Sequence, residues 1–200
     1  MCSSKDDFED LLREQEDVSG AFERVDWENR SLELRSAAES VFRVCRFWRC
    51  RFRKVHFSNV RFERCDFSGS ELSECGFYRC SFVGCKLAGT TFSDCSLLEC
   101  TFSECKADLF GAGNCKLKET NFVQCDLNSA SFTENTVKNL FFLACNLSAS
   151  EFSRTSLAKT DLSDSNLEGI RISGGELRGA IVSPMQAIAL AGLLGVVVKS

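Results

Sequence analysis

Thirteen cysteines in 200 residues carry most of the latent chemistry of this chain. Clustered thiols can bind zinc, close disulfides or act as nucleophiles. Their spacing here argues against all three. Twelve of them (Cys45, Cys50, Cys65, Cys75, Cys80, Cys85, Cys95, Cys100, Cys105, Cys115, Cys125 and Cys145) fall on multiples of five, so only CxxxxC spacings occur. Zinc sites are built from CxxC-like pairs, and His56, the only histidine, supplies no ligand cluster. One histidine also leaves no nucleophile–base pair, and dispersed glycines leave no phosphate-cradling loop. The chain is therefore expected to be no enzyme and to need no cofactor or metal. The twelve cysteines read as small apolar core residues, with Cys2 as the one exposed thiol.

The element that positions them is a repeat. Every fifth residue from Phe22 to Val182 is apolar, mostly Phe or Leu, without a slip of register. A period of five fits neither a helix nor a simple strand, and internal repeats decide the fold. The cysteines sit two residues before these apolar centres, where Ser, Thr, Ala and Val also occur. Cys45, Cys65, Cys85, Cys105, Cys125 and Cys145 recur every twenty residues, which implies four pentapeptides per turn with equivalent residues stacked. Stacked Cβ atoms about 4.8 Å apart lie outside the roughly 3.5–4.5 Å that a disulfide prefers. Large centres fill the interior, small residues fit the crowded corners, and the other three residues face water.

Three places depart from the pattern. Arg30 and Arg35 occupy small positions, so the first coil is expected to be irregular. Centres Ala107 and Ala112 leave a void that Phe110, at a small position, is expected to fill. Leu140 also stands at a small position, while Phe141 and Leu143 stand at outward ones, which implies a local distortion or an apolar surface patch. The glycine pairs at 111–113 and 174–175 read as tight corners.

Net charge is −4, unevenly spread. The first nineteen residues are strongly acidic, residues 41–64 carry Arg43, Arg46, Arg49, Arg51, Arg53, Lys54, Arg61 and Arg64 against Glu63 alone, and residues 90–170 are acidic again. No apolar run is long enough to cross a membrane as a helix, and no signal pattern begins the chain, so a cytoplasmic location is expected. Residues 1–19 form an acidic segment with a short helix expected over 5–16, residues 20–182 form the repeat, and residues 183–200 form a tail. In that tail Ser183 suits an N-cap, Pro184 the first helical position and Gly195 the stop. VVV at 196–198 reads as a strand.

The motifs CDFSG (65–69), CDLNS (125–129), CNLSA (145–149), TDLSD (160–164) and SNLEG (165–169) resemble the pentapeptide-repeat family. That resemblance covers about four-fifths of the chain. It implies an all-β, right-handed quadrilateral β-helix of about eight coils with a short C-terminal capping helix and strand. The tail, LRGAIVSPMQAIALAGLLGVVV, looks like that of the Qnr-type quinolone-resistance members. No loop interrupts the repeat, so the likeness is to loopless members. It implies a homodimer joined through Met185, Ile188, Ala189, Leu190, Leu193, Leu194, Val196 and Val198. It further implies a DNA-mimicking rod that binds a type II topoisomerase, gyrase or topoisomerase IV. The acidic residues expected to meet that partner are Glu71, Glu74, Asp94, Glu134 and Glu151 on one face, and Asp126 and Glu168 on the next. The alternatives are a non-catalytic scaffold for another protein and direct nucleic-acid binding through the basic band, where Trp48 and Tyr78 are the only large outward aromatics.

Overall fold

Large apolar residues at every fifth position reach one interior only if the chain turns a corner every five residues. The computed structural model describes residues 17–193 and 195–199, and it is a four-sided parallel β-helix. The helix expected over 5–16 lies outside the described residues. One side is a seven-stranded parallel sheet built of three-residue strands, from Ser31–Glu33 to Glu151–Ser153, one per turn and each twenty residues from the next. A nine-stranded sheet wraps two further sides, where eight-residue strands such as Ser36–Arg43 and Lys116–Val123 bend around a corner. Isolated bridges from Asp26–Arg46 through Asn146–Asn166 close the fourth side. The roughly eight expected coils are seven turns of sheet ladder and a looser last coil held by bridges such as Asp161–Ile181.

The corners fall two residues after each centre. Every fifth residue from Arg24 to Lys159 has a positive φ, and only Gly69, Gly84 and Gly89 in that series are glycines. Left-handed backbone costs a residue with a Cβ about 1–2 kcal/mol, so packing and ladder bonds must hold these corners. Val44, at φ 54°, is β-branched and the least suited. One corner of each coil closes as a hydrogen-bonded turn: Ser70 N donates to Phe67 O at 2.9 Å and Thr90 N to Leu87 O at 3.0 Å. With Gly69 and Gly89 at the third position, the φ sign is that of a type II turn. The expected glycine corners are corrected accordingly. Gly111–Gly113 is a strand, its corner is Asn114, and of the later pair only Gly174 has a positive φ.

The interior is a set of aromatic columns. Phe62, Phe82 and Phe102 stack with ring centroids 4.8 and 4.6 Å apart. Phe110 turns inward above the two alanine centres, with its ring 5.3 Å from Phe92 and 5.9 Å from Phe132. In the first coil the register shifts between Val18 and Gly20, yet Arg30 and Arg35 still accept ladder bonds from Arg51 and His56.

The small position has a polar task besides its small size. Cys65 Sγ donates to Phe42 O at 3.3 Å, Ser70 Oγ to Phe47 O at 2.5 Å and Thr90 Oγ1 to Phe67 O at 2.8 Å. A small donor at such a position therefore ties its corner to the carbonyl of a centre in the preceding coil.

Leu140 cannot make that bond. In the coil before it, Thr120 Oγ1 donates to Leu97 O at 3.3 Å. Strand Thr136–Leu143 keeps full register with Lys116–Val123, and Leu140 is buried. Beyond this strand the ladder opens. Among the described residues no backbone bond joins 136–144 to 156–164, whereas Leu157, Lys159 and Leu162 donate onward to Glu176, Gly179 and Ile181. The bulk of Leu140 at a crowded corner is the physical reason, because an overfilled site pushes its neighbours apart. Leu140→Thr is expected to close this seam, protect the amides of Phe142 and Ala144 from hydrogen exchange and raise Tm by about 2–4 °C. Unchanged exchange would refute the wedge.

The last coil is capped by a carboxylate. Glu176, buried, accepts from Arg154 N at 3.1 Å, Ser173 N at 3.0 Å and Ser173 Oγ at 2.7 Å. The Ser173 hydroxyl bond holds its pKa below the ordinary 4.5. A depressed carboxylate pKa contributes stability that is present above 4.5 and is lost as pH falls through the folded value. Glu176→Gln is expected to cost about 1–2 kcal/mol at pH 7. Thermal melts from pH 7 to pH 3 should show that difference narrowing in acid. A constant difference would contradict an ionised cap.

The chain then enters the helix Pro184–Leu193. Ser183 N donates to Gln186 Oε1 at 2.7 Å and Gln186 N to Ser183 Oγ at 3.3 Å, a reciprocal capping box. Gln186 Nε2 also donates to Leu162 O and Ser165 O at 2.8 and 2.7 Å, fastening the helix to the rod. Gly195, φ 75°, ends it, with Gly195 N bonded to Gly192 O and Val196 N to Ala191 O in a Schellman arrangement. Residues 196–199 carry no strand, so the expected strand at 196–198 is corrected. Once the Schellman turn has ended the helix, no neighbouring strand takes up those valines.

Candidate functional site

The ladder cysteines are packing residues, not a reactive site. All twelve ladder cysteines are free and buried, and among the described residues no group of three or more His, Cys, Asp or Glu could hold a metal. Burial raises the pKa of Cys50, and the stacked Cys105 thiol, together with burial, pushes Cys125 up to about 12. Neighbouring thiols pull others, such as Cys45 and Cys80, down instead, so it is burial away from reagents that makes the ladder inert.

The seven acidic residues lie on two neighbouring sides. Glu71 and Glu151 belong to the seven-stranded sheet, four turns apart. Glu74, Asp94 and Glu134 occupy the left-handed corner that follows it, with Glu74 and Asp94 on successive coils and Glu134 two coils farther. Asp126 lies on the bridged side, and Glu168 is on that same side two coils on.

The fold brings cations to four of these acids from the coil before or after. Arg51 reaches Glu71 at 3.2 Å, and Arg53 and Lys54 reach Glu74 at 3.1 and 3.5 Å. Arg154 reaches Glu134 at 2.5 Å, and Arg171 reaches Glu151 at 3.5 Å. Asp94 and Asp126 instead accept amide bonds from Asn114 and Asn146. Exposed pairs of this kind add little to stability, because water and salt screen them. Their larger consequence is to cancel charge on the surface.

The basic band is partly cancelled in the same way, while Arg49 and Arg64 meet no acid among the described residues. Glu63 takes Arg43 at 2.9 Å and Arg61 at 2.5 Å, and the Arg61 bond lowers the Glu63 pKa most. Glu33 takes Arg53 at 2.6 Å, and Glu28 pairs with Arg46. Trp48 is covered by Arg49 at 4.1 Å and Arg46 at 5.5 Å, and Tyr78 by Arg79 at 4.7 Å. Each ring already holds a cation on a face that base stacking would need.

Two apolar surfaces remain. On the helix, Met185, Ile188, Ala189 and Leu193 face water, as do Val196 and Val198, while Leu190 is buried against the rod. Leu190 therefore belongs to the chain's own core, because the helix needs one side to seat it. Leu194 lies outside the described residues. A hollow of about 380 Å³ separates Met185, Ala189 and Leu193 from residues 165–169 of the last coil.

The second surface is a groove of about 460 Å³ beside the opened seam, lined by Thr101, Asn121, Val123, Phe141, Leu143, Asp161 and Asp164. Phe141 and Leu143 are 46% and 52% exposed, far more than the 3% of their inward neighbour Phe142. The outward phase of Phe141 and Leu143 was legible in the sequence, but Asp161 and Asp164 were not singled out, because TDLSDSN reads as ordinary repeat.

Over residues 55–109 and 113–181 the chain matches the family profile described as the pentapeptide repeat region. Among solved structures it is similar to a trypsin-treated form of QnrB1, a plasmid-mediated fluoroquinolone resistance protein. The two are 18% identical with a TM-score of 0.51, over 90% of this chain and 92% of that one. It is also similar to HetL, a pentapeptide repeat protein involved in heterocyst differentiation regulation from the cyanobacterium Nostoc sp. strain PCC 7120, at 17% identity and a TM-score of 0.48, over 91% and 97% of the two chains. At these identities the likeness is one of fold. The comparison with curated proteins finds no match.

Proposed function

Because this chain belongs to the pentapeptide-repeat family, we propose that it is a non-catalytic binding rod that joins a second copy through its C-terminal helix and takes a protein partner along its sides. The observation that carries this reading is the exposed apolar face of the helix, at the end of a rod whose repeat centres point inward. A twofold contact between two such helices would cover both faces with one patch.

A second reading makes a type II topoisomerase the partner and the rod a mimic of DNA. It is favoured by the fold shared with QnrB1, a fluoroquinolone resistance protein. In this reading the ion pairs narrow the negative surface. Glu71, Glu74, Glu134 and Glu151 are compensated, and the mimicry rests on Asp94, Asp126 and Glu168, which no cation pairs among the described residues. Supercoiling by gyrase and quinolone-stabilised cleavage, measured with micromolar dimer, test it. Altered supercoiling or reduced cleavage, weakened by Asp94→Lys with Glu168→Lys, is the result expected of a mimic. No effect on either assay removes the topoisomerase and leaves the binding rod.

A further inference from the structure

The seam beyond strand Thr136–Leu143 leaves this strand as an end of the nine-stranded sheet, with no ladder partner on its C-terminal side among the described residues. Backbone groups without a ladder partner must be met by water or by another chain. Beside this edge lie the exposed side chains of Phe141 and Leu143, with Val123 one coil back. The groove they line contains two carboxylates, Asp161 and Asp164, and no lysine or arginine. Asp161 is held by Ser163, whose N and Oγ donate to its Oδ1 at 2.9 and 2.6 Å, so this carboxylate is fixed in place.

The charges decide the occupant. The chain's own first sixteen residues hold six acids against Lys5 and Arg13, and their one apolar–cation pair, Leu12–Arg13, is followed by Glu14 and Glu16, which the two carboxylates repel. A second copy's tail helix has no basic residue in its last turn, and the Val198–Lys199 pair beyond it belongs to the end contact proposed above, so the tail would leave the carboxylates unpaired. Resting on the reading of the chain as a protein-binding rod, we propose that this groove docks an extended segment of a different protein, one that places a large apolar side chain next to lysine or arginine. The apolar side chain would cover Phe141 and Leu143, and the cation would meet Asp161 and Asp164. Burial of the apolar anchor gives affinity, and the charge gives selection against acidic segments.

A displayed library of random dodecapeptides, selected on the full-length protein, tests this. Retained peptides are expected to share an aromatic or aliphatic residue adjacent to Lys or Arg. Their affinity, measured by fluorescence anisotropy, should fall at least about tenfold with Phe141→Ser or Leu143→Ser and severalfold with Asp164→Lys. Both apolar residues are already exposed, so thermal melts of these variants should match the parent. Peptides that bind all variants equally overturn the groove and leave a binding rod that acts through another side. Acidic peptides, or none retained, also overturn the groove. A change of oligomeric mass in Phe141→Ser would assign the patch to a second copy instead and equally overturn it. None of these outcomes changes the gyrase assays, so the two readings fail separately.

Discussion

Phe82→Asp is expected to abolish the folded rod. Phe82 is buried, stacked between Phe62 and Phe102 and met edge-on by Phe67 at 5.9 Å. Removing such a ring costs about 3–5 kcal/mol as a cavity. A carboxylate in its place has no cation or donor within the aromatic column, which adds a further penalty of several kcal/mol. The sum approaches the roughly 5–15 kcal/mol that holds a domain folded. Each coil of a solenoid touches only its neighbours, so a break in the middle leaves two halves with uncapped ends. Circular dichroism should lose its strand signal and its cooperative melt. Phe82→Leu is expected to fold, because Leu72, Leu87 and Leu97 fill equivalent positions. A soluble Phe82→Asp protein with the parental melt would contradict the inward phase.

Leu193→Arg is expected to turn a dimer into single chains. Leu193 is 52% exposed at the end of the helix, beside Met185 at 74% and Ile188 at 50%. In a twofold contact each substitution appears twice, so two guanidinium groups would be forced into one apolar patch whose nearest carboxylate, Glu168, lies across the hollow beneath the helix. The dissociation constant should rise by at least about a hundredfold. Light scattering at micromolar concentration should report twice the 22.2 kDa chain for the parent and one chain for the variant. The melt of the rod itself should move little, because Leu190 and Gln186 still seat the helix. A monomeric parent, or a variant of unchanged mass, would refute the interface.

The inward side of the rod was legible in the sequence, while much of the outward side was not. Phe110 is the clearest success, because two alanine centres leave a void that only a neighbouring large residue can fill. Gly111 and Gly113 were misread for a local reason. Glycine suggests a corner, yet here the left-handed residue follows each centre by two, and Asn114 takes that place. The charges were misread because charge was counted along the chain. Residues 41–64 show eight bases and one acid, but in the helix Glu28, Glu33, Glu71 and Glu74 stand one coil away and pair with them. The same register pairs four of the seven acids expected to imitate DNA. Leu140 announced a disturbance, but its consequence falls twenty residues later, where the coil containing Asp161 fails to join the ladder.

The central claim is that the cysteines are part of the packing and corner bonding of a phase-locked rod. Counting alkylated thiols by mass spectrometry, in the native protein and in denaturant, tests it most directly. The account predicts that all twelve ladder cysteines, from Cys45 to Cys145, stay unlabelled in the native state and that all react once unfolded. Rapid native labelling at several of these positions, or a zinc-dependent protection of them, would contradict it.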